Sequence, residues 1–240
     1  MDLVKPPSRR DRAIRTRHRI AEAALDLFAQ DGYAATTIDA VAQRAGVAIQ
    51  TVYFVFHTKP QLLVEALRIV SGGAEGTSAV MDRAWVGEVV AAPDGGRRLA
   101  LAIEHGSLIY QRIGPVWPAI LAAMGEPDVR AAWDAVVRDR RDGMRRVVGL
   151  MAARGELRPG LDPSLAADIL FGLHRHELYL AFTVEARWSF DLYRAWTYVT
   201  LCQQLLPPEV ARAATQPGSS AVAGLELANA LPRVGSIAPG

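Results

Sequence analysis

The 240-residue sequence predicts an all-α protein of two unequal helical units. Three observations carry that expectation. Apolar residues recur three and four positions apart along most of the chain, with no convincing strand-like alternation. Glycine and proline divide these runs into segments of helical length. Near the N-terminus, two short segments flank a single glycine, Gly46, between longer helical runs. Half of the residues are hydrophobic, which is ample for a sizeable core.

The elements follow in order. Residues 1–8 are expected to form a disordered basic arm. From Arg9 to Gln30 the sequence predicts a helix, with Ile20, Ala24, Leu27 and Phe28 at i, i+4, i+7 and i+8 lining one face. Asp31-Gly32 ends it, Gly32 being able to adopt a left-handed cap. Either Thr36 or Thr37 caps a second helix, and Thr36 with Asp39 has capping-box spacing. Ile38, Val41, Ala42 and Ala45 form its apolar face. Gly46 breaks it, since a sharp turn favours positive φ. Val47 to Phe54 restarts as a short helix. Two helices this short are unstable alone and need the first and fourth to cover them. Thr58 opens the fourth, with Gln61 completing a capping box and Pro60 in the first turn. Leu62, Leu63, Ala66, Leu67 and Val70 form its buried stripe.

Ser71-Gly72-Gly73 and Gly76 weaken the helical signal. A first unit over 9–70 and a second over 71–206 are therefore expected. Further helices are predicted from Gly96 to Ile113, Pro115 to Met124, Pro127 to Arg154, Pro163 to Phe182 and Phe190 to Leu206. Residues 207–240 are rich in Ala, Gly, Pro and Ser, without an aromatic residue. A disordered tail is expected there, with Val222 to Leu231 able to form a loose helix.

Net charge is +2, which says little about partners; its distribution says more. Met1 to Arg68 carries ten Lys/Arg against seven Asp/Glu. Lys5, Arg9, Arg10, Arg12, Arg15, Arg17 and Arg19 face only Asp11 between Lys5 and Arg19. Such an arm fits an electrostatic footprint for phosphate; a solvated, disordered start is the alternative. The single cysteine, Cys202, has no internal disulfide partner and suits a small core residue. No apolar run approaches the roughly 18 residues of a membrane span, and no signal peptide is visible. A soluble cytoplasmic protein with no membrane partner is expected. The sequence offers no nucleophile–base set, no phosphate-cradling glycine loop and no metal-ligand cluster, so no enzyme, cofactor or metal is expected. Asp139 and Asp142 sit among arginines as solvated ion pairs. His174 and His176, two apart, lack the i, i+4 spacing of a shared metal.

Arg19 to Leu67 resembles the TetR (tetracycline-repressor-like) family of bacterial transcription regulators. The matching segments are RIAEAALDLFAQDGY, ATTIDAVAQRAGV and TVYFVFHTKPQLL. Their spacing of Phe28, Gly32-Tyr33, Thr36-Thr37, Ala45-Gly46-Val47, Thr51, Tyr53, Phe56, Lys59 and Leu62-Leu63 is a specific combination. Gly155 to Trp196 matches the C-terminal half of such regulators more loosely. The resemblance implies an all-helical homodimer. Its N-terminal three-helix helix-turn-helix DNA-binding domain would sit on double-stranded operator DNA. A larger helical C-terminal ligand-binding and dimerisation domain would enclose a small-molecule effector.

In that picture the start of the third helix enters the major groove. Gln50 suits adenine, and Ala48 and Ile49 suit a thymine methyl. Thr37, Thr51, Tyr53, His57 and Lys59 are candidate DNA contacts, the hydroxyls and Lys59 suiting backbone phosphate. Arg44 joins them, a solvated charge being the alternative. Three positions depart from the family: Ala48 replaces a capping Ser or Pro, Gln50 replaces Gly, and Val55 replaces a phosphate-bonding Tyr or His. Two late helices are apolar on more than one side. Leu165, Ile169 and Leu173, with Leu192, Trp196 and Val199, are thus candidates for a dimer interface, with a central core helix as the alternative. Candidate pocket residues are His105, Tyr110, Trp117, Met124, Trp133, Phe171 and His174, each of which could equally be ordinary core. Repression on a palindromic operator, relieved by an apolar or aromatic effector, is the expected function. Activation, or a helical protein-interaction module, remains the alternative.

Overall fold

A computed structural model describes residues 8–72 and 84–214. Within them every regular element is helical: α1 (Arg9–Ala35), α2 (Ile38–Ala45), α3 (Ile49–Phe56), α4 (Lys59–Gly72), α5 (Ala84–Ala91), α6 (Gly95–Ile113), α7 (Trp117–Ala122), α8 (Pro127–Ala153), α9 (Pro163–Leu173), α10 (His176–Leu180), α11 (Phe190–Leu205) and α12 (Pro208–Ala214). The chain forms two compact units. The first takes the described part of Met1–Ser78 together with Arg112–Val136; the second takes the described part of Ala79–Gln111 with Val137–Gly240.

In the first unit, Ser8 caps α1 through a reciprocal pair with Asp11, at 3.1 and 3.0 Å. The expected stripe of Ile20, Ala24, Leu27 and Phe28 is buried. Gly32 interrupts the helix with φ 78° and ψ 174°. The choice between the two threonines falls to Thr37, whose hydroxyl accepts from the Ala40 amide at 3.1 Å. Thr36 instead turns inward and donates to the Gly32 carbonyl at 2.8 Å. Gly46 closes α2 in the left-handed conformation, φ 64° and ψ 42°. Thr58 accepts from the Gln61 amide, fixing the start of α4. Leu62, Leu63 and Ala66 then have no exposed surface. α1 packs against α2, α4 and α7. The expected boundary near Ser71 therefore captures only part of this unit: α7 and its flanks, 112–136, belong to it as well. α7 packs against α1, and Trp117, Ala119 and Ile120 are buried within the same unit.

The second unit packs α9 against α11. Leu99, Ile103, Val148, Met151, Leu170, Tyr198, Leu201, Cys202 and Leu205 form its main core. Burial first of all pushes the Cys202 thiol up to about 12, so it is an inert core residue, as its apolar surroundings predict. The helix expected from Pro163 to Phe182 is divided. α9 ends at His174, whose backbone carbonyl accepts the Tyr110 hydroxyl at 2.9 Å. Its ring fills the space beside Gly106, where an added Cβ would lie 2.3 Å from the imidazole. α5 and α12 are not anticipated by the sequence pattern. The first stretch of the expected disordered tail, Pro208–Ala214, is helical because Ala211 is buried against the main core. The possible helix from Val222 to Leu231 lies outside the described residues.

Arg98 ties this unit together with no exposed side-chain surface. It binds both oxygens of Glu156, at 3.0 and 3.1 Å. It also donates to the carbonyls of Val89, Val90 and Ala92. These include the unpaired carbonyls at the end of α5, which need donors once buried. Replacing Arg98 by Met strands Glu156 and the Val89 carbonyl together, while Arg154 still reaches the carbonyls of Val90 and Ala92. Chemical denaturation should show a loss of about 3–5 kcal/mol.

Candidate nucleic-acid interface and effector site

α3 has eight residues and one buried stripe, Val52 and Phe56. The remaining positions turn outward. Ala48, Gln50 and Tyr53 are exposed, while Ile49 and Thr51 are half-buried. Ala48 makes no side-chain cap, as its methyl side chain predicts. Phe54 is 83% exposed and sits one turn beyond Gln50. Its place off the Val52–Phe56 stripe is legible in the spacing, although its residue type does not mark it as a site. His57 ends the helix with an exposed side chain at φ 56° and ψ −47°, a costly conformation for a residue other than glycine.

Three side chains that the sequence places toward phosphate are engaged within the protein. Arg17 leaves the basic arm's footprint: its Nε donates to Glu65 at 2.8 Å, and its guanidinium lies 5.1 Å from the centroid of the Phe56 ring. Arg44 bonds Gln30 at 3.3 Å and approaches Asp26 at 3.8 Å. Lys59 donates to the Ala34 carbonyl at 3.2 Å, with its ammonium 4.4 Å from the centroid of the Tyr33 ring. Burial lowers its pKa, and Glu126 opposes that shift. Thr37 is occupied as a cap, with its residue still exposed. Arg10, Arg12, Arg15 and Arg19 remain exposed along α1, and Lys5 lies outside the described residues.

Glu65 is the polar centre of this unit. It binds Arg17 of α1 and Arg68 of its own helix, the latter at 3.0 and 2.7 Å. Burial alone would push its carboxyl up. Hydrogen bonds from Arg68 and Arg17, helped by their charges, outweigh burial and hold it at about 2.

The candidate pocket residues fall in both units. Trp117, Met124 and Trp133 belong to the first, with Trp117 and Trp133 rings 4.9 Å apart. His105, Tyr110, Phe171 and His174 belong to the second. His105 stacks on Trp85 at 4.8 Å. Tyr110 and His174 come together at 5.0 Å, and Arg140 bridges toward Phe171: its Nη1 bonds the Tyr110 hydroxyl at 3.2 Å and its guanidinium covers the Phe171 ring. Spacing by two residues points His174 and His176 to different sides of one helix. Because the helix breaks between them, both rings flank Tyr110. Burial, then the charge of Arg140, pushes His174 down to about 3. Burial also brings His176 down to about 4. Both are neutral at neutral pH. Arg140, Tyr179 and Tyr193, which no sequence signal singles out, complete this cluster. Among the described residues, no group of three or more His, Cys, Asp or Glu could hold a metal ion. Likewise no helix there is long and apolar enough to cross a membrane.

Of the proposed interface residues, Leu165 is 55% exposed, and Ile169, Leu173, Leu192 and Trp196 are half-buried. Val199 is a correction: it is buried in its own unit's main core and offers a partner little surface. α11 is apolar on several sides because Tyr193, Tyr198 and Leu201 are consumed internally.

The first unit thus defines a helix-turn-helix protein whose second short helix presents a free face. Residues 20–66 match the family model for bacterial regulatory proteins of the tetR family. Residues 97–188 match the tetracyclin repressor-like C-terminal domain. The chain belongs to the TetR family of regulatory proteins. It is 28% identical over 159 residues to the A-factor receptor protein of Streptomyces griseus, a match covering 66% of this chain and 52% of that protein. A match to the uncharacterized HTH-type transcriptional regulator YdeS of Bacillus subtilis (strain 168) is 26% identical and covers 65% of this chain and 75% of that one. The fold is also that of a transcriptional regulator from Saccharomonospora viridis crystallised with choline. The TM-score is 0.65 at 21% identity, covering 80% of this chain and 98% of that one.

Glu65 makes the first unit acid-sensitive. Its folded pKa lies below the ordinary 4.5, so its contribution is present above that value and is lost as pH falls toward 2. Glu65→Gln should lower stability at neutral pH and flatten the pH profile between these limits, measured by urea unfolding at stepped pH.

Proposed function

We propose that this chain is an effector-responsive transcriptional regulator that binds double-stranded DNA as a homodimer, acts as a repressor on a palindromic operator, and works in the cytoplasm. The observation that carries this reading is the outward face of α3, held by Val52 and Phe56. A helix placed this way after a tight glycine turn suits the major groove. Gln50 would bond an adenine edge, and Ala48 and Ile49 would meet a thymine methyl. Phe54 joins them: a large apolar side chain one turn beyond Gln50 suits a further thymine methyl or the sugar edge. Thr37, Thr51, Tyr53 and His57 would position α3 on the backbone. Lys59 and Arg44 would reach phosphate only by leaving Ala34 and Gln30, so their contribution is smaller than their charge suggests. The exposed arginines of α1 extend the positive footprint and, with the arm before them, would reach an adjacent minor groove.

The exposed and half-exposed faces of α9 and α11, through Leu165, Ile169, Leu173, Leu192 and Trp196, would pair with a second copy. Two α3 helices would then be spaced by about 34–36 Å, or a multiple of it. The effector would bind in the second unit and favour a state unfit for DNA, which requires it to bind that state better. The likeness to a protein named as a receptor supports a small-molecule signal.

A gel shift with the protein's own promoter region tests the reading; no retarded complex at low salt would refute it. Gln50→Ala should cost about 1–3 kcal/mol of operator affinity and relax the preference at one base pair. Deleting the residues before Arg12 should weaken binding and flatten its salt dependence. An unchanged slope of log K against log salt would remove the arm from the interface.

A further inference from the structure

Among the described residues, one arginine of the second unit has no carboxylate in hydrogen-bond contact. Arg140 of α8 donates from Nη1 to the Tyr110 hydroxyl, a neutral acceptor, at 3.2 Å. Its guanidinium lies 4.3 Å from the centroid of the Phe171 ring. Its Nε is buried and meets no hydrogen-bond acceptor among the described residues. The neighbouring arginines differ. Arg141 pairs with Asp168 at 2.8 Å, Arg194 with Asp191 at 3.4 Å, and Arg175 with Glu177 at 2.6 Å. Glu177 lies within electrostatic reach of Arg140, but Arg175 grips both its oxygens, at 2.8 and 2.6 Å. Two cations share one carboxylate, and Arg140 is left over.

The surroundings sharpen this. The hydroxyls of Tyr193 and Thr197, on residues with no exposed surface, also lack a hydrogen bond of good geometry, although they lie close enough to influence one another. Tyr193 is within electrostatic reach of both Tyr110 and Arg140, and its ring packs 5.2 Å from Tyr179. Buried polar groups and buried charges are ordinarily paired. The Nε side of a guanidinium is half of the fork that holds a carboxylate bidentately. Here that side is unused, and the walls around it are aromatic.

We propose that Arg140 anchors the carboxylate of a small monoanionic effector, whose apolar or aromatic body packs against Phe171 and the Tyr110–Tyr193 cluster. This rests on the effector site proposed above and names its chemical class. A cationic ligand would meet Arg140 and Arg175 repulsively. A pure hydrocarbon would leave Nε unmet.

The test uses the full chain and three kinds of probe. Benzoate, cinnamate, phenylacetate and octanoate are each compared with the matching primary amide and amine, by thermal shift and calorimetry. At least one acid should bind about tenfold or more tightly than its amide, and the amines should not bind. Arg140→Met should erase the acid's advantage, and Arg140→Lys should keep part of it. Arg140→Met should fold, because it exchanges an unbalanced cation for an apolar chain. If it does not fold, the wild-type acid-over-amide ratio and its reduction in Arg140→Lys decide. Amides binding as well as acids, no acid binding, or an acid preference that survives Arg140→Met would each overturn the proposal and leave Nε to ordered water. Operator release is scored separately. An acid that binds through Arg140 without changing DNA affinity keeps the anion site and refutes the effector-responsive reading.

Discussion

The exposed face of α3 depends on how little holds that helix. Eight residues cannot sustain a helix in water, and α3 starts without a side-chain cap. Its placement rests on Val52 and Phe56, which are buried against the first unit. Arg17 covers the Phe56 ring while pairing with Glu65, so one arginine joins α1, α3 and α4. That arrangement spends a cation on architecture that charge counting alone would assign to DNA. It also leaves Gln50, Tyr53 and Phe54 exposed and facing outward.

The second unit solves a different problem. Its helices are joined by irregular turns whose carbonyls would be buried unpaired. Arg98 serves those at the end of α5, and its charge is balanced by Glu156. Arg140 is the counterpart that remains unbalanced, set among tyrosines and a phenylalanine. Arg98 is buried and fully satisfied, whereas half-buried Arg140 keeps a buried Nε without an acceptor among the described residues. That contrast within a single unit separates a structural group from one suited to a ligand.

The helix-turn-helix was legible before any coordinates, because its signals are local. Gly46, Thr37, Thr58 and the apolar stripes of α1, α2 and α4 act within a few residues of themselves. Ala48 as a missing cap was legible for the same reason. The aromatic cluster around Tyr110 was legible only in part. Tyr110, Phe171 and His174 stand out by residue type, but Arg140 looks like one more arginine in a charged helix. Only its lack of a carboxylate partner, from elements distant in sequence, distinguishes it. Val199 was misplaced because an apolar helix face does not say whether its cover is intramolecular.

By itself the sequence determined the all-helical class, a threonine cap for α2, the capped start of α4, the positive-φ turn at Gly46 and the weak start of α3. These follow from hydrogen-bond and backbone preferences that span at most one or two turns. Tertiary structure decided the rest. It placed residues 112–136 with the first unit, where α7 packs against α1. It broke the long helix at His174, where Tyr110 takes the carbonyl and Gly106 admits the ring. It turned Arg17 toward Glu65 and Phe56 and left Arg140 without a hydrogen-bonded carboxylate among the described residues. Each of these outcomes depends on which distant groups meet, and helical periodicity carries no information about that.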